Sequence, residues 1–178
     1  MDYYRLFITD GILCNILEET NRYGEQYVQS HQEHLDSHPR ARPHNFLKRQ
    51  FTMSELLRLI VLIITMGIVD LPSLQDYWST SWPFSSPHFS SLLSHDRFLL
   101  FLKFLHLADN TKQAAKGQPG YDKLFKIRPF MDPLIKTFQE MFVPQQQLSI
   151  DEAMISFKGR LSFLQYLPKK PKKWGMKA

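Results

Sequence analysis

Residues 52–69 read TMSELLRLIVLIITMGIV. Thr52-Met-Ser-Glu55 has the form of a capping box, in which the threonine hydroxyl and the glutamate carboxylate each satisfy a free backbone donor at a helix start. Leu56, Leu57, Leu59, Ile60, Leu62, Ile63 and Ile64 then leave the helix apolar on most sides, which predicts a helix to about Val69 at the centre of a core. Leu71-Pro72 stops it. The apolar run from Leu59 to Val69 is bounded by Arg58 and Asp70, and it falls well short of the roughly 18–20 residues that a bilayer span needs.

Working outward, the same period recurs on both sides. Toward the N-terminus, Thr9 and Asp10 are N-cap candidates for a helix from Phe7 to roughly Val28, with Ile12, Leu13, Ile16 and Leu17 at helical spacing and Cys14 expected among them as a small core residue. From Ser30 to Asn45 the chain carries Pro39, Pro43, Arg40, Arg42 and four histidines, with no apolar period, and reads as an exposed linker. His31, His34, His38 and His44 do not make a convincing metal site, because no cysteine is near, the spacing breaks at Pro39, and the order is not His-Glu-x-x-His. Toward the C-terminus, Ser73 to Ser91 holds Tyr77, Trp78, Trp82, Phe84 and Phe89 among serines, a packed loop whose rings staple it to the helices. Ser94 caps a helix from His95 to about Leu107, and a polar turn from Asn110 to Gly120 leads to a helix from Tyr121 to Phe142 that Pro129 and Pro133 should kink or split.

After Pro144 the period changes. Leu148, Ile150, Ala153, Ile155 and Phe157 roughly alternate, which favours a strand; Lys158-Gly159-Arg160 is a turn, and Leu161 to Leu167 could return as a second strand. The fold is therefore predicted to be mainly helical from Thr9 to Phe142, with a few strands at the C-terminus. A lone hairpin cannot bury its apolar face, so residues 148–166 are expected either to dock on the helices or to order poorly.

The formal net charge is +5 and the sequence pI about 9.3, with the positive charge concentrated near the C-terminus. Lys158, Arg160, Lys169, Lys170, Lys172, Lys173 and Lys177 form an acid-free segment interleaved with Tyr166 and Trp174. Such a segment neutralises phosphates and releases counterions, giving salt-sensitive DNA affinity; a solvated tail is the alternative. Its Pro-Lys-Lys-Pro-Lys-Lys core is also the type of run read as a nuclear localisation patch, which places the chain in the nucleus. The single cysteine excludes an internal disulfide and fits a reducing compartment. No secretory signal, phosphate-cradling glycine loop or Gly-x-Ser-x-Gly elbow is present, so hydrolase and nucleotidase readings, and with them a small-molecule substrate, lose support.

Ser149-Ile-Asp-Glu-Ala-Met-Ile-Ser-Phe-Lys-Gly-Arg160, followed by Tyr166-Leu-Pro-Lys-Lys-Pro-Lys-Lys-Trp-Gly-Met-Lys177, resembles the first catalytic motif of piggyBac transposases. Upstream, Phe7-Ile-Thr-Asp10, Glu19-Thr-Asn21, Ser94-His-Asp-Arg-Phe98 and Tyr121-Asp-Lys-Leu-Phe-Lys-Ile-Arg128 resemble that family's helical region in the same order. Lys158, Leu167 and Trp174 stand where the family often has Arg, Ile and Tyr. The resemblance implies a helical region, 1–144, that dimerises and binds DNA, followed at 145–178 by the first strands of an incomplete RNase H-like α/β domain. It also implies DNA cutting and joining by three acidic residues and two magnesium ions. The first of those acids maps onto Asp151; the others have no counterpart here. Two cations about 3.5–4 Å apart need several carboxylates, so Asp151 alone would hold magnesium weakly at best, and Glu152, the next residue on a strand, points to the opposite face. The expectation is a DNA-binding or dimerising remnant without catalytic power. The first part of an active transposase and a helical protein-interaction factor are the alternatives.

Overall fold

In a computed structural model of the chain, residues 2–85, 87–147, 154–157, 159, 161, 163–171 and 173–177 are described. They divide into two compact units, Met1–Met141 and Phe142–Ala178.

Side-chain caps open three of the α-helices of the first unit. A short helix, α1 (Asp2–Phe7), precedes Thr9, whose hydroxyl accepts the Ile12 N–H at 3.4 Å and opens α2 (Asp10–Ser30). The capping box forms as predicted: Thr52 Oγ1 accepts the Glu55 N–H and Glu55 Oε2 accepts the Thr52 N–H at 3.1 Å, opening the helix Met53–Ile68. Ser94 Oγ accepts the Arg97 N–H at the start of the helix His95–Phe104, three residues shorter than predicted. Each such cap contributes about 1 kcal/mol.

Between Ser30 and Asn45 the linker prediction is overturned. Two short helices, α3 (Gln32–Ser37) and α4 (Pro43–Lys48), occupy the region, α3 held by the buried Leu35 and α4 by the buried Pro43 and Phe46. One apolar anchor per turn is too few to create a period, which is why the pattern gave no signal. The histidines are used locally: His31 Nδ1 bonds the Tyr27 carbonyl, His38 Nδ1 bonds the His34 carbonyl, and His44 Nε2 bonds the Leu35 carbonyl at 3.0 Å.

The helix Met53–Ile68, α5, is buried on one face only. Leu56, Leu59 and Leu62 are enclosed with Glu55, whereas Leu57, Val61, Ile64 and Ile68, at i, i+4, i+7 and i+11, form an exposed stripe that reaches 79 % at Ile68. Sequence placed this helix centrally; within its unit, α2 and α6 (Pro87–Leu92) pack against it. The aromatic loop also departs from expectation in part. Tyr77 and Phe89 are buried and Trp78 Nε1 donates to the Leu93 carbonyl at 2.8 Å, but Trp82 is 91 % exposed and staples nothing. Cys14 is exposed as well, since the buried positions of α2, Ile12, Leu13, Ile16, Thr20, Gly24 and Val28, leave it on the outer face.

The core gathers around α7 (His95–Phe104). Phe101 and Phe104 are fully enclosed, with Phe101 against Phe51 at 4.0 Å and Phe104 edge-on to Phe46 at 5.3 Å. Gly24 of α2 faces the Phe46 ring so closely that a Cβ would lie 2.5 Å from it. A mid-helix Gly→Ala change ordinarily stabilises, yet Phe46 is wedged between Phe51 and Phe104 and cannot retreat. Gly24→Ala is therefore expected to destabilise by about 1–3 kcal/mol, the range of overpacked cores; a thermal midpoint at or above that of the parent would refute the packing account.

The last helix, α8 (Arg128–Met141), is shorter than the predicted Tyr121 to Phe142. Pro129 lies in the first turn, where its missing N–H is not needed, and so marks the start, whereas Pro133 stays inside the helix without ending it. Asp122 organises the turn before it, accepting the Leu124 N–H at 2.9 Å and Arg128 Nε at 2.7 Å. The Arg128 hydrogen bond first, then that from the Leu124 N–H, holds the Asp122 carboxyl below the usual range.

Candidate nucleic-acid interface

The second unit contains a three-stranded antiparallel sheet. Its strands are β1 (Met154–Ser156), β2 (Gln165–Tyr166) and β3 (Trp174–Lys177), in the order β1-β3-β2. The register pairs Ile155 with Met176 on one side of β3 and Tyr166 with Trp174 on the other. This corrects the reading of the C-terminus in two respects. β1 and β2 are not a hairpin pair, and residues 174–177 are the central strand, not the end of a solvated tail. A Lys-rich run interrupted by two prolines carries no strand signal, and WGMK is too short to show alternation. Gly175 is what allows the close approach: a Cβ there would collide with the Ile155 carbonyl oxygen.

Between β2 and β3 the described part of the basic segment forms a closed loop. Leu167 N donates to the Lys173 carbonyl at 2.8 Å and Lys170 N to the Leu167 carbonyl at 3.2 Å, closing residues 167–173 at their base. Pro168 and Pro171 fix the backbone φ within it. Lys169 and Lys173 are exposed on this loop and Lys170 is half-buried. Beside it, the cross-strand partners Tyr166 and Trp174 hold their rings 4.8 Å apart at 44°, both half exposed. Mobile lysines set on a braced loop can meet successive phosphates, and an exposed ring pair offers a face on which a base can stack.

Asp151, Lys158, Arg160 and Lys172 lie outside the described residues, and Lys177 is described only through its backbone in β3. Among the described residues no group of three or more His, Cys, Asp or Glu side chains is placed to hold a metal ion, so they do not furnish the donor set that magnesium would require. No described helix is long and apolar enough to cross a membrane.

A second polar centre lies in the helical unit, and the sequence pattern did not reveal it. Glu55 and Arg97, 4 % and 8 % exposed, form a bidentate pair: Arg97 Nε donates to Glu55 Oε1 and Nη2 to Oε2, both at 3.0 Å. Arg97 Nη2 also reaches the Gln50 carbonyl at 2.9 Å, its guanidinium lies 4.3 Å from the Phe51 ring centre, and Arg49 Nη2 donates to Glu55 Oε1 at 2.6 Å. Burial pushes the Glu55 carboxyl upward. The Arg97 hydrogen bonds and charge, the Thr52 N–H and the Arg49 charge outweigh it and hold the group below its usual value. One signal was available: Arg97 shares the i, i+4, i+7 face of Phe101 and Phe104, where a lone arginine needs a buried partner.

The stretches that carried the family resemblance in the helical unit prove to be structural joints. Thr20, fully buried, accepts the His106 N–H and donates to the His106 carbonyl, both at 3.3 Å. Asn21 exchanges two 3.0 Å bonds with the Phe51 backbone, and the Glu19 carboxylate bonds Arg22. Thr9, Ser94, Arg97 and Asp122 have the capping and bracing roles given above.

Comparison with known proteins agrees with this architecture. A family model described as Transposase IS4 matches residues 1–178. The chain is 27 % identical over 175 residues to the human PiggyBac transposable element-derived protein 2, covering 98 % of this chain and 26 % of that protein. It is 26 % identical over 156 residues to the human PiggyBac transposable element-derived protein 5, covering 87 % and 26 % respectively. The chain thus spans about a quarter of the length of these relatives. Its fold matches a solved piggyBac transposase synaptic complex with hairpin DNA at a TM-score of 0.76 and 24 % identity, over 98 % of this chain and 34 % of that one. With the family model spanning every residue and the fold and relatives in agreement, the chain belongs to the Transposase IS4 family and is a piggyBac transposase-related protein.

Proposed function

We propose that this chain is a DNA-binding module of piggyBac type that grips the phosphate backbone through the loop between β2 and β3 and does not itself cleave DNA. The observation that carries the reading is the braced loop, with Lys169 and Lys173 exposed beside the Tyr166–Trp174 ring pair. The solved neighbour, a transposase in a synaptic complex with hairpin DNA, supports the choice of ligand. The non-catalytic part rests on chemistry: two-metal phosphoryl transfer needs several converging carboxylates, and Asp151 is the one acid these residues match to the family's set.

A gel-shift titration of a short duplex at two salt concentrations tests both parts. Salt-sensitive binding is expected, and Lys169→Gln with Lys173→Gln should lower the slope of log K against log salt by about 2, near 0.9 for each phosphate no longer neutralised. An unchanged slope removes the loop from the interface. With magnesium added, intact DNA should be recovered; nicked product would end the non-catalytic reading. The second reading, the opening part of an active transposase, is favoured by the roughly fourfold greater length of the relatives, and joining the downstream portion of such a relative would then restore cleavage.

A further inference from the structure

The Glu55–Arg97 centre opens onto a polar cleft of about 380 Å3 whose wall includes Arg49, Arg58, Arg97, Asp96 and Ser94. All of these belong to the helical unit. The Glu55 carboxylate is committed at both oxygens, and Asp96 is paired through one. Glu55 Oε1 accepts from Arg97 and Arg49, Oε2 accepts from Arg97 and the Thr52 N–H, and Asp96 Oδ1 accepts Arg42 Nε at 2.8 Å. The guanidinium groups are not matched in the same way. Each carries five N–H donors; Arg49 gives one to Glu55, and Arg58 gives one, at 3.5 Å, to the Leu92 carbonyl.

Three arginines therefore face two carboxylates, one of which is further neutralised by Arg42. A cation would meet a positive surplus. An apolar group would have to desolvate the arginines. A tetrahedral oxyanion meets spare, planar, charged donors, the geometry in which guanidinium recognises phosphate bidentately. Arg97, clamped to Glu55 at both ends, holds that carboxylate against Arg49 and so sets where the Arg49 fork lies. Its part is positioning.

We propose that this cleft binds a phosphate group, with Arg49 and Arg58 as its donors, and that the phosphate belongs to a DNA backbone. The chemistry stands on the cleft alone; the DNA source rests on the function proposed above.

The test follows backbone amide signals of the full chain by two-dimensional nuclear magnetic resonance at low salt, titrating first inorganic phosphate and then a short duplex. Both are expected to move the Ser94 and Arg97 amides. Arg49→Gln with Arg58→Gln should abolish the phosphate response and lower the DNA salt slope by about 1, the value for one neutralised phosphate. Arg58→Gln alone, which leaves the Glu55 network whole, should weaken the phosphate response with an unchanged thermal midpoint, separating ligand loss from misfolding. Lys169→Gln with Lys173→Gln should leave the phosphate response intact, so failure of the loop reading does not touch the cleft. A phosphate response with a DNA slope indifferent to Arg49→Gln and Arg58→Gln would overturn the DNA source and leave a free-phosphate site. Unmoved cleft amides with both ligands would overturn the site itself.

Discussion

Replacing Arg97 with methionine is expected to destabilise the helical unit by about 3–5 kcal/mol, because the side chain that disappears leaves the Glu55 carboxylate buried with its main counter-charge gone. Methionine preserves much of the volume against Phe51, so the loss is electrostatic and not a cavity. Arg49 still reaches Glu55, but its side chain is 69 % exposed and its contribution is screened by solvent, which places the effect toward the lower end. In a unit of this size about 3 kcal/mol lowers the thermal midpoint by on the order of 10 °C. Glu55→Gln added to Arg97→Met should recover part of the loss, since glutamine keeps the capping interaction with Thr52 and removes the stranded charge. A double variant no more stable than Arg97→Met alone would show that the pair is not the source of the effect.

The same pair dictates a pH dependence. The Glu55 carboxyl is depressed in the folded protein, so its contribution is present at pH above the ordinary carboxylate value and is lost as pH falls through the depressed folded value. With Arg97 replaced, burial is no longer outweighed to the same extent. The acid limb of the stability profile should flatten accordingly, measurable as thermal midpoints from neutral pH downward.

The second large effect is expected at Phe104. Truncation to alanine should cost about 3–5 kcal/mol, the range for a buried phenylalanine that leaves a cavity. Phe104 is wholly enclosed and meets four rings, Tyr23, Tyr27, Phe46 and Phe51, at 5.3–6.4 Å. Those rings belong to α2, α4 and the segment before α5, so no single element can shift to close the gap without moving the others. Denaturant unfolding checks the value, and a loss under about 1 kcal/mol would mean that the aromatic cluster collapses readily around the missing ring.

These effects sit where the sequence was least informative. Arg97 reads from the sequence as one of the polar residues of its helix, and its partner lies 42 positions away, where no local pattern names it. The polar cleft was invisible for the same reason: Arg49 and Arg97 meet at Glu55, and Arg58 lines the same cleft, only in the folded chain. The basic loop was legible as charge, although its bracing depends on β3, a strand whose four residues show no period of their own.

What could be read directly from the chain were features that close within a few residues. The caps at Thr9, Thr52 and Ser94, the mainly helical class, the stop after Ile68 and the change of period after Pro144 all depend on neighbours three or four positions apart or on backbone sterics, and these act wherever the segment finds itself. What waited on the folded chain was every choice of partner: which face of α5 is covered, that Leu35 and Phe46 pin short helices in a polar stretch, that β3 separates β1 from β2, and that Glu55 meets Arg97. Such pairings are decided by competition among distant segments for the same buried surface and the same hydrogen-bonding groups, and that competition leaves no imprint on the spacing of residues along a single segment.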